Sequence, residues 1–196
     1  AGAAVRGYDP VPVATPAGVE RCERPAEEVH GAEVVVACVA AADAVTAATQ
    51  ALDDIPAGAI YADLGPGSAE LKCGLAAIVE PRLRFVDVAM MTTVHGLGVP
   101  SLASGRGAAA YADVMVPLGA DVEAIDERPG VAATRKLLRS VVIKGLTGVV
   151  IEAMRGARAA GEAEWLWENV VHQLTVADER FVRRLVVAAA VHHARR

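Results

Sequence analysis

Between Val131 and Gly161 the chain reads VAATRKLLRSVVIKGLTGVVIEAMRGARAAG, and within it Lys136, Ser140, Lys144 and Glu152 stand at multiples of four, with Thr147 beside them. On a helix that spacing lays them along one face. The rest of the circumference is apolar: Leu137, Leu138, Val141, Val142, Ile143, Leu146, Val149, Val150 and Ile151. A helix greasy nearly all round is expected to be buried. A lysine there must find a counter-charge, lie beside a wet cleft, or lose its proton. For Lys144 the spacing leaves these open, and the plainest reading is a core helix whose Lys144 snorkels or pairs with Glu152. Gly145 and Gly148 cost helix stability of about 1 kcal/mol each relative to Ala, which suits close approach of another backbone or a ligand.

Other residues offer weaker chemistry. His95, in a glycine-rich loop, is of the type that titrates near neutrality and serves as acid or base, or is simply exposed. Asp9 closes a short strand, where an acidic side chain can bond a ribose, but Asp before Pro is also a turn former. The GxGxxG turn that would hold a pyrophosphate does not occur; Gly65-x-Gly67 follows a strand and precedes a helix but lacks the third glycine, and Gly96-x-Gly98 reads as loop. Ser101 and Ser104 have no GxSxG context, which argues against a serine hydrolase. His30, His172, His192 and His193 fit no HExxH pattern, and Cys22, Cys38 and Cys73 lack CxxC spacing, so no metal site is expected.

The elements that position these residues follow from periodicity. Ala3 to Tyr8 suits a strand, Glu33 to Val39 a strand covered on both faces, Asp43 to Leu52 a helix, and Ala59 to Leu64 a strand. Ser68 is a cap for a helix over Ala69 to Val79, and Arg84 to Ala89 is a further strand. A helix near Ala108 to Leu118 and a strand near Asp121 to Ile125 add a last βαβ-type element. This rhythm specifies a parallel sheet with crossover helices, whose sites lie beyond the carboxyl ends of the strands. Tyr8 and Asp9, Val39 to Asp43, Leu64 to Ser68, and Met90 to Val94 are the segments placed there. Pro129-Gly130 precedes the long helix, roughly 45 Å at 1.5 Å per residue. After it Glu162 to Leu174 and Asp178 to Arg196 read as helices. Two regions are expected: an α/β domain over 1–128 and an all-helical domain over 129–196, joined by the helix at about 131–160.

The chain has 196 residues, 54% hydrophobic but only 4% aromatic, so its core must be built of Ala, Val and Leu. A net charge of −5 argues against nucleic acid. Arg180, Arg183, Arg184, Arg195 and Arg196 cluster as the solvated face of a last helix. Three cysteines without pairing signals suggest reduced thiols. No run of eighteen apolar residues or signal-like N-terminus is present, and a soluble cytoplasmic protein is the expectation.

Taken together, YDP, CVAAADAV, YADLGPGS, FVDVAMMTTVHGLGVPSLASG and the helix RKLLRSVVIKGLTGVVIEAMRGARAAG resemble the 6-phosphogluconate dehydrogenase and β-hydroxyacid dehydrogenase superfamily, in particular its branch with an RSxxxKG helix in a C-terminal domain of unknown function. The resemblance implies a Rossmann-like domain binding NAD or NADP, a helical domain that commonly pairs two subunits, and hydride transfer to or from a small hydroxy acid or its oxo or imine counterpart. It implies that Lys144 exchanges a proton with the substrate oxygen while Ser140 orients it. In the better-known branches a lysine is followed four residues later by asparagine, so the ammonium here lies one turn along. Met91, Thr92 and Thr93 fall where the family binds substrate through Ser-Gly-Gly, with His95 nearby; Tyr8, Asp9, Val39, Ala40, Ala41, Gly65 and Pro66 fall at the cofactor positions. Relative to the family, the first strand and its glycine turn are missing and the C-terminus is short. That leaves either a fragment or a truncated homologue, and a non-catalytic dimerising or ligand-binding protein of the same fold is the alternative, with Trp165, Leu166, Trp167 and Val171 as its apolar contact.

Overall fold

The computed structural model describes residues 2–193. Arg195 and Arg196 lie outside the described residues, as do the side chains of Val191, His192 and His193. The chain divides into two compact units, residues 1–139 and 140–196.

In the first unit, β1 (Val5–Gly7) and β2 (Val19–Arg21) form a small parallel sheet by themselves. A second sheet has five strands in the order β3 (Val34–Ala37), β4 (Ile60–Asp63), β5 (Arg84–Met90), β6 (Ser101–Ser104) and β7 (Val122–Asp126). Its helices are α1 (Pro25–Val29), α2 (Ala44–Ala51), α3 (Ala69–Val79) and α4 (Ala108–Met115). Ser68 starts α3 as its sequence predicts: its Oγ accepts the Leu71 amide at 3.2 Å.

Strand alternation sorts the core into two layers. Tyr61 and Phe85 join Leu75, Val79 and Ala48 on one face. Ile60, Ala62, Val86 and Val88 join Ala103, Ala108 and Tyr111 on the other. Few aromatic residues are needed because small side chains from both layers interlock with the sheet.

Three expectations are corrected here. Val19–Arg21 and Ser101–Ser104 are strands too short to register as periodic runs; β6 runs antiparallel to β5, while the other pairings of the five-stranded sheet are parallel as expected. The run ending at Val39 is not covered on both faces: β3 ends the strand order and Val36 is exposed. The long helix α5 (Val131–Ala160) does form, ending at Gly161, whose positive φ of 76° suits glycine. From Ser140 on, however, its apolar middle is not buried by the described residues of its own unit.

The second unit holds the rest of α5 with α6 (Ala163–Thr175) and α7 (Glu179–His193). Among the described residues no side chain after Ala133 is fully buried, and Val141 and Val149 are 72% and 67% exposed. Trp165 and Trp167 are exposed as well. Among the described residues, α6 and α7 do not cover the apolar circumference of α5.

Candidate functional site

The carboxyl ends of the parallel strands are organised by one polar row across the sheet. Asp63 on β4 is in register with Asp87 on β5, and Asp87 with Ser104 on β6. Like charges side by side on a sheet repel, and both aspartates are almost wholly buried. Lys72 answers this from α3. Its position, with Leu75, Ala76 and Val79 three, four and seven residues later, puts it on the helix face that packs on the sheet.

The buried Lys72 ammonium donates to Asp63 Oδ2 at 2.7 Å, to the Gly65 carbonyl at 2.8 Å and to the Asp63 carbonyl at 3.3 Å. Asp87 Oδ1 lies 3.6 Å from it and accepts no hydrogen bond among the described residues. The other oxygen, Asp87 Oδ2, accepts the Ser104 hydroxyl at 3.2 Å and the Ala133 amide at 2.9 Å, while Ser104 Oγ accepts the Ala132 amide at 3.0 Å. Two sheet side chains thus cap the N-terminus of α5, whose partial positive charge of roughly half a unit adds to Lys72 against the two carboxylates.

Above this row lies the turn after β4. Gly65 donates its amide to Asp63 Oδ1 at 3.0 Å, and a Cβ on Gly65 would come 2.5 Å from the Val39 carbonyl at the end of β3. The structure therefore brings Val39 and Gly65 into backbone contact. Ala40, Ala41 and Pro66, exposed beside them, add only small side chains at these strand ends.

Met91 follows β5; its amide donates to the Pro100 carbonyl at 2.8 Å and its carbonyl accepts Arg139 Nη1 at 2.7 Å. Thr92, Thr93 and His95 are exposed in the loop between β5 and β6. Tyr8 and Asp9 follow β1 on the separate small sheet, and Asp9 acts as the turn former: its Oδ1 accepts the Val11 amide at 2.8 Å. Arg21 then donates to the Asp9 carbonyl at 2.6 Å. Ser140 is half-buried, Lys144 is exposed, and both belong to the second unit. Glu152 pairs with Arg155 at 3.7 Å, not with Lys144.

Burial, with the charge of Asp63 adding to it, raises the Tyr61 phenol well above its ordinary range. At the end of β7, hydrogen bonds from Arg128 hold the Asp126 carboxyl far below the usual carboxylate range. All three cysteines are free, and among the described residues no group of three His, Cys, Asp or Glu is placed to hold a metal. No described helix is long and apolar enough to cross a membrane. A groove of about 330 Å³ lies at the opposite, amino-terminal edge of the sheet, lined by Glu33, Gly58, Ile60 and Arg84, and so contains none of the residues singled out above.

Sequence reasoning passed over Lys72, Asp63, Asp87 and Arg139, and weighed Ser104 only as a hydrolase nucleophile. A signal existed for the first three: a lysine on the apolar face of a helix, and aspartates inside strand runs reading IYADL and FVDVA.

No protein-family model matches the sequence, and a search of curated proteins finds no relative. Solved structures do match. A conserved hypothetical protein from Sinorhizobium meliloti 1021 is 31% identical, with a TM-score of 0.70 over 92% of this chain and 64% of that one. The structure of a conserved protein of unknown function, described as similar to 3-hydroxyacid dehydrogenases, is 26% identical with a TM-score of 0.67, over 91% of this chain and 67% of that one. The chain has the fold of the 6-phosphogluconate dehydrogenase and β-hydroxyacid dehydrogenase superfamily. Among the superfamily's members, the reductive aminase from Aspergillus terreus in complex with NADPH and ethyl levulinate is 19% identical, with a TM-score of 0.68 over 88% of this chain and 61% of that one. The chain spans about two thirds or less of the length of each of these superfamily proteins.

Proposed function

We propose that this chain carries part of an NAD(P)-dependent oxidoreductase that transfers hydride between nicotinamide and a small hydroxy acid or its oxo or imine counterpart. The observation that carries this reading is the backbone approach of Val39 to Gly65 at the carboxyl ends of β3 and β4. In an open α/β sheet a dinucleotide lies beyond the carboxyl ends of the strands. The residues fit it, since Val39, Ala40, Ala41, Gly65 and Pro66 present backbone groups without bulky side chains. Asp9, after β1, would accept from the adenosine ribose and so favours NAD, although Arg6 on the same strand is a candidate partner for the extra phosphate of NADP.

When bound, the cofactor supplies or accepts the hydride. The chain's own residues handle the rest. Met91, Thr92, Thr93 and His95 are proposed to bind the substrate through backbone groups and hydroxyls. Lys144 is proposed to exchange the proton at the substrate oxygen or nitrogen, with Ser140 orienting that atom. Titration with NADH and NADPH, followed by nicotinamide fluorescence, tests the reading; binding of neither would overturn it.

A second element of the proposal is a homodimer formed through the helical unit. The exposed Val141, Val149, Trp165 and Trp167 support it, because apolar surface of this extent is normally covered by a partner. Should cofactor binding fail, this surface favours the alternative, a non-catalytic dimerising protein of the same fold.

A further inference from the structure

Lys72 has three protons and all three are in use, on Asp63 Oδ2 and on the carbonyls of Asp63 and Gly65. Yet a second carboxylate oxygen, Asp87 Oδ1, waits 3.6 Å away with no hydrogen bond among the described residues. The two competing acceptors belong to different machinery. The Gly65 carbonyl is part of the turn at the end of β4, and Asp87 caps α5 through the Ala133 amide at 2.9 Å.

We propose that Lys72 is a positioning residue that couples the Gly65 turn to the N-terminus of α5. While the turn sits in its present place, Lys72 holds the Gly65 carbonyl and leaves Asp87 to Ser104 and the helix amides. A displacement of the turn frees one ammonium proton, which Asp87 Oδ1 is placed to accept. The Asp87 carboxylate then shares its charge with Lys72 and its grip on Ala133 weakens. Burial makes this exchange sharp, because Lys72 is 1% exposed and water does not replace a lost partner freely. No covalent bond changes; one hydrogen bond is traded for another. The value of this link to catalysis rests on the cofactor reading above, since a ligand held at the strand ends beside Val39 and Gly65 would touch the turn and α5 is the helix that goes on to Lys144.

The test is a variant cycle read by amide hydrogen exchange on the full chain without ligand. Gly65→Ala forces the turn away from the Val39 carbonyl, which its Cβ would meet at 2.5 Å. Asp63→Asn with Lys72→Met removes the cation and one of its two carboxylates, retains an oxygen for the Gly65 amide and cuts the path to Asp87, which keeps only Ser104 and Ala133 whether or not Gly65 is changed in that background. Gly65→Ala alone is expected to speed exchange at Ala132 and Ala133 by about tenfold, a coupling on the order of 1.4 kcal/mol. In the Asp63→Asn/Lys72→Met background it should change them less than twofold. An equal effect in both backgrounds, or none in either, overturns the proposal. If Gly65→Ala does not fold, Pro66→Gly loosens the same turn without adding an atom, and the same two outcomes decide. Titration of the unaltered chain with NADH and NADPH is scored separately, so absence of binding would remove the cofactor reading and leave the coupling result standing.

Discussion

Asp87 on β5 accepts the backbone amide of Ala133 at 2.9 Å, so a carboxylate buried in the middle of a sheet serves as the cap of a helix that begins more than forty residues later. With Ser104 on Ala132, it fixes where the long helix starts. The helix has no serine, threonine, aspartate or asparagine immediately before Val131 to do this locally, since Pro129 and Gly130 stand there.

Replacing Asp87 with Ala should therefore do more than remove a cap. It leaves the Ala133 amide, the Ser104 hydroxyl and part of the Lys72 charge without partners, and the expected loss is about 3–5 kcal/mol, the range for breaking a buried ion pair. Ser104→Ala removes one neutral partner and should cost about 1 kcal/mol. Urea unfolding of the two variants checks both the size and the order; a larger loss for Ser104→Ala would contradict this account of the cap.

Lys144→Met should lower kcat by about 10²-fold or more against an oxo acid or imine substrate, with cofactor affinity unchanged within about twofold. Steady-state rates together with the fluorescence titration separate the two effects. Unaltered turnover would remove Lys144 from the proton-transfer role.

Tyr61 provides a pH prediction. Its folded-state pKa is raised by burial first and by Asp63 second, above the value of about 10 expected when unfolded. The folded state then holds its proton where the unfolded state has released it. Stability is intact below about pH 10 and falls as pH rises beyond that. Unfolding midpoints measured across this range should drop for the unaltered chain and drop less for Tyr61→Phe.

Association is expected to follow the exposed face of α5. Val141→Glu with Val149→Glu places charge on two of its most exposed valine positions among those described and should shift sedimentation from dimer to monomer, with far-ultraviolet circular dichroism of the monomer retained. A chain that sediments as a monomer before any substitution would refute the pairing.

Much of the fold was legible in the residues because strand and helix periods leave strong traces. Ser68 capping Ala69–Val79, the strand at Ile60–Asp63 and the helix from Val131 to Ala160 follow from local pattern alone. The short strands Val19–Arg21 and Ser101–Ser104 did not, because a few residues carry no usable period and their pairing is set by partners distant in sequence. Burial of α5 was misread for a related reason: an apolar circumference says that a helix must be covered, not that its own chain does the covering.

The sequence by itself determined which elements form and which residue types stand at the strand ends, since those depend on neighbours within a few positions. Only the tertiary structure decided that Asp63 and Asp87 lie side by side, that Lys72 is their shared cation, and that Asp87 and Ser104 cap α5. Strand register and helix docking bring those groups together, and no local pattern encodes a contact between residues as far apart as Asp87 and Ala133.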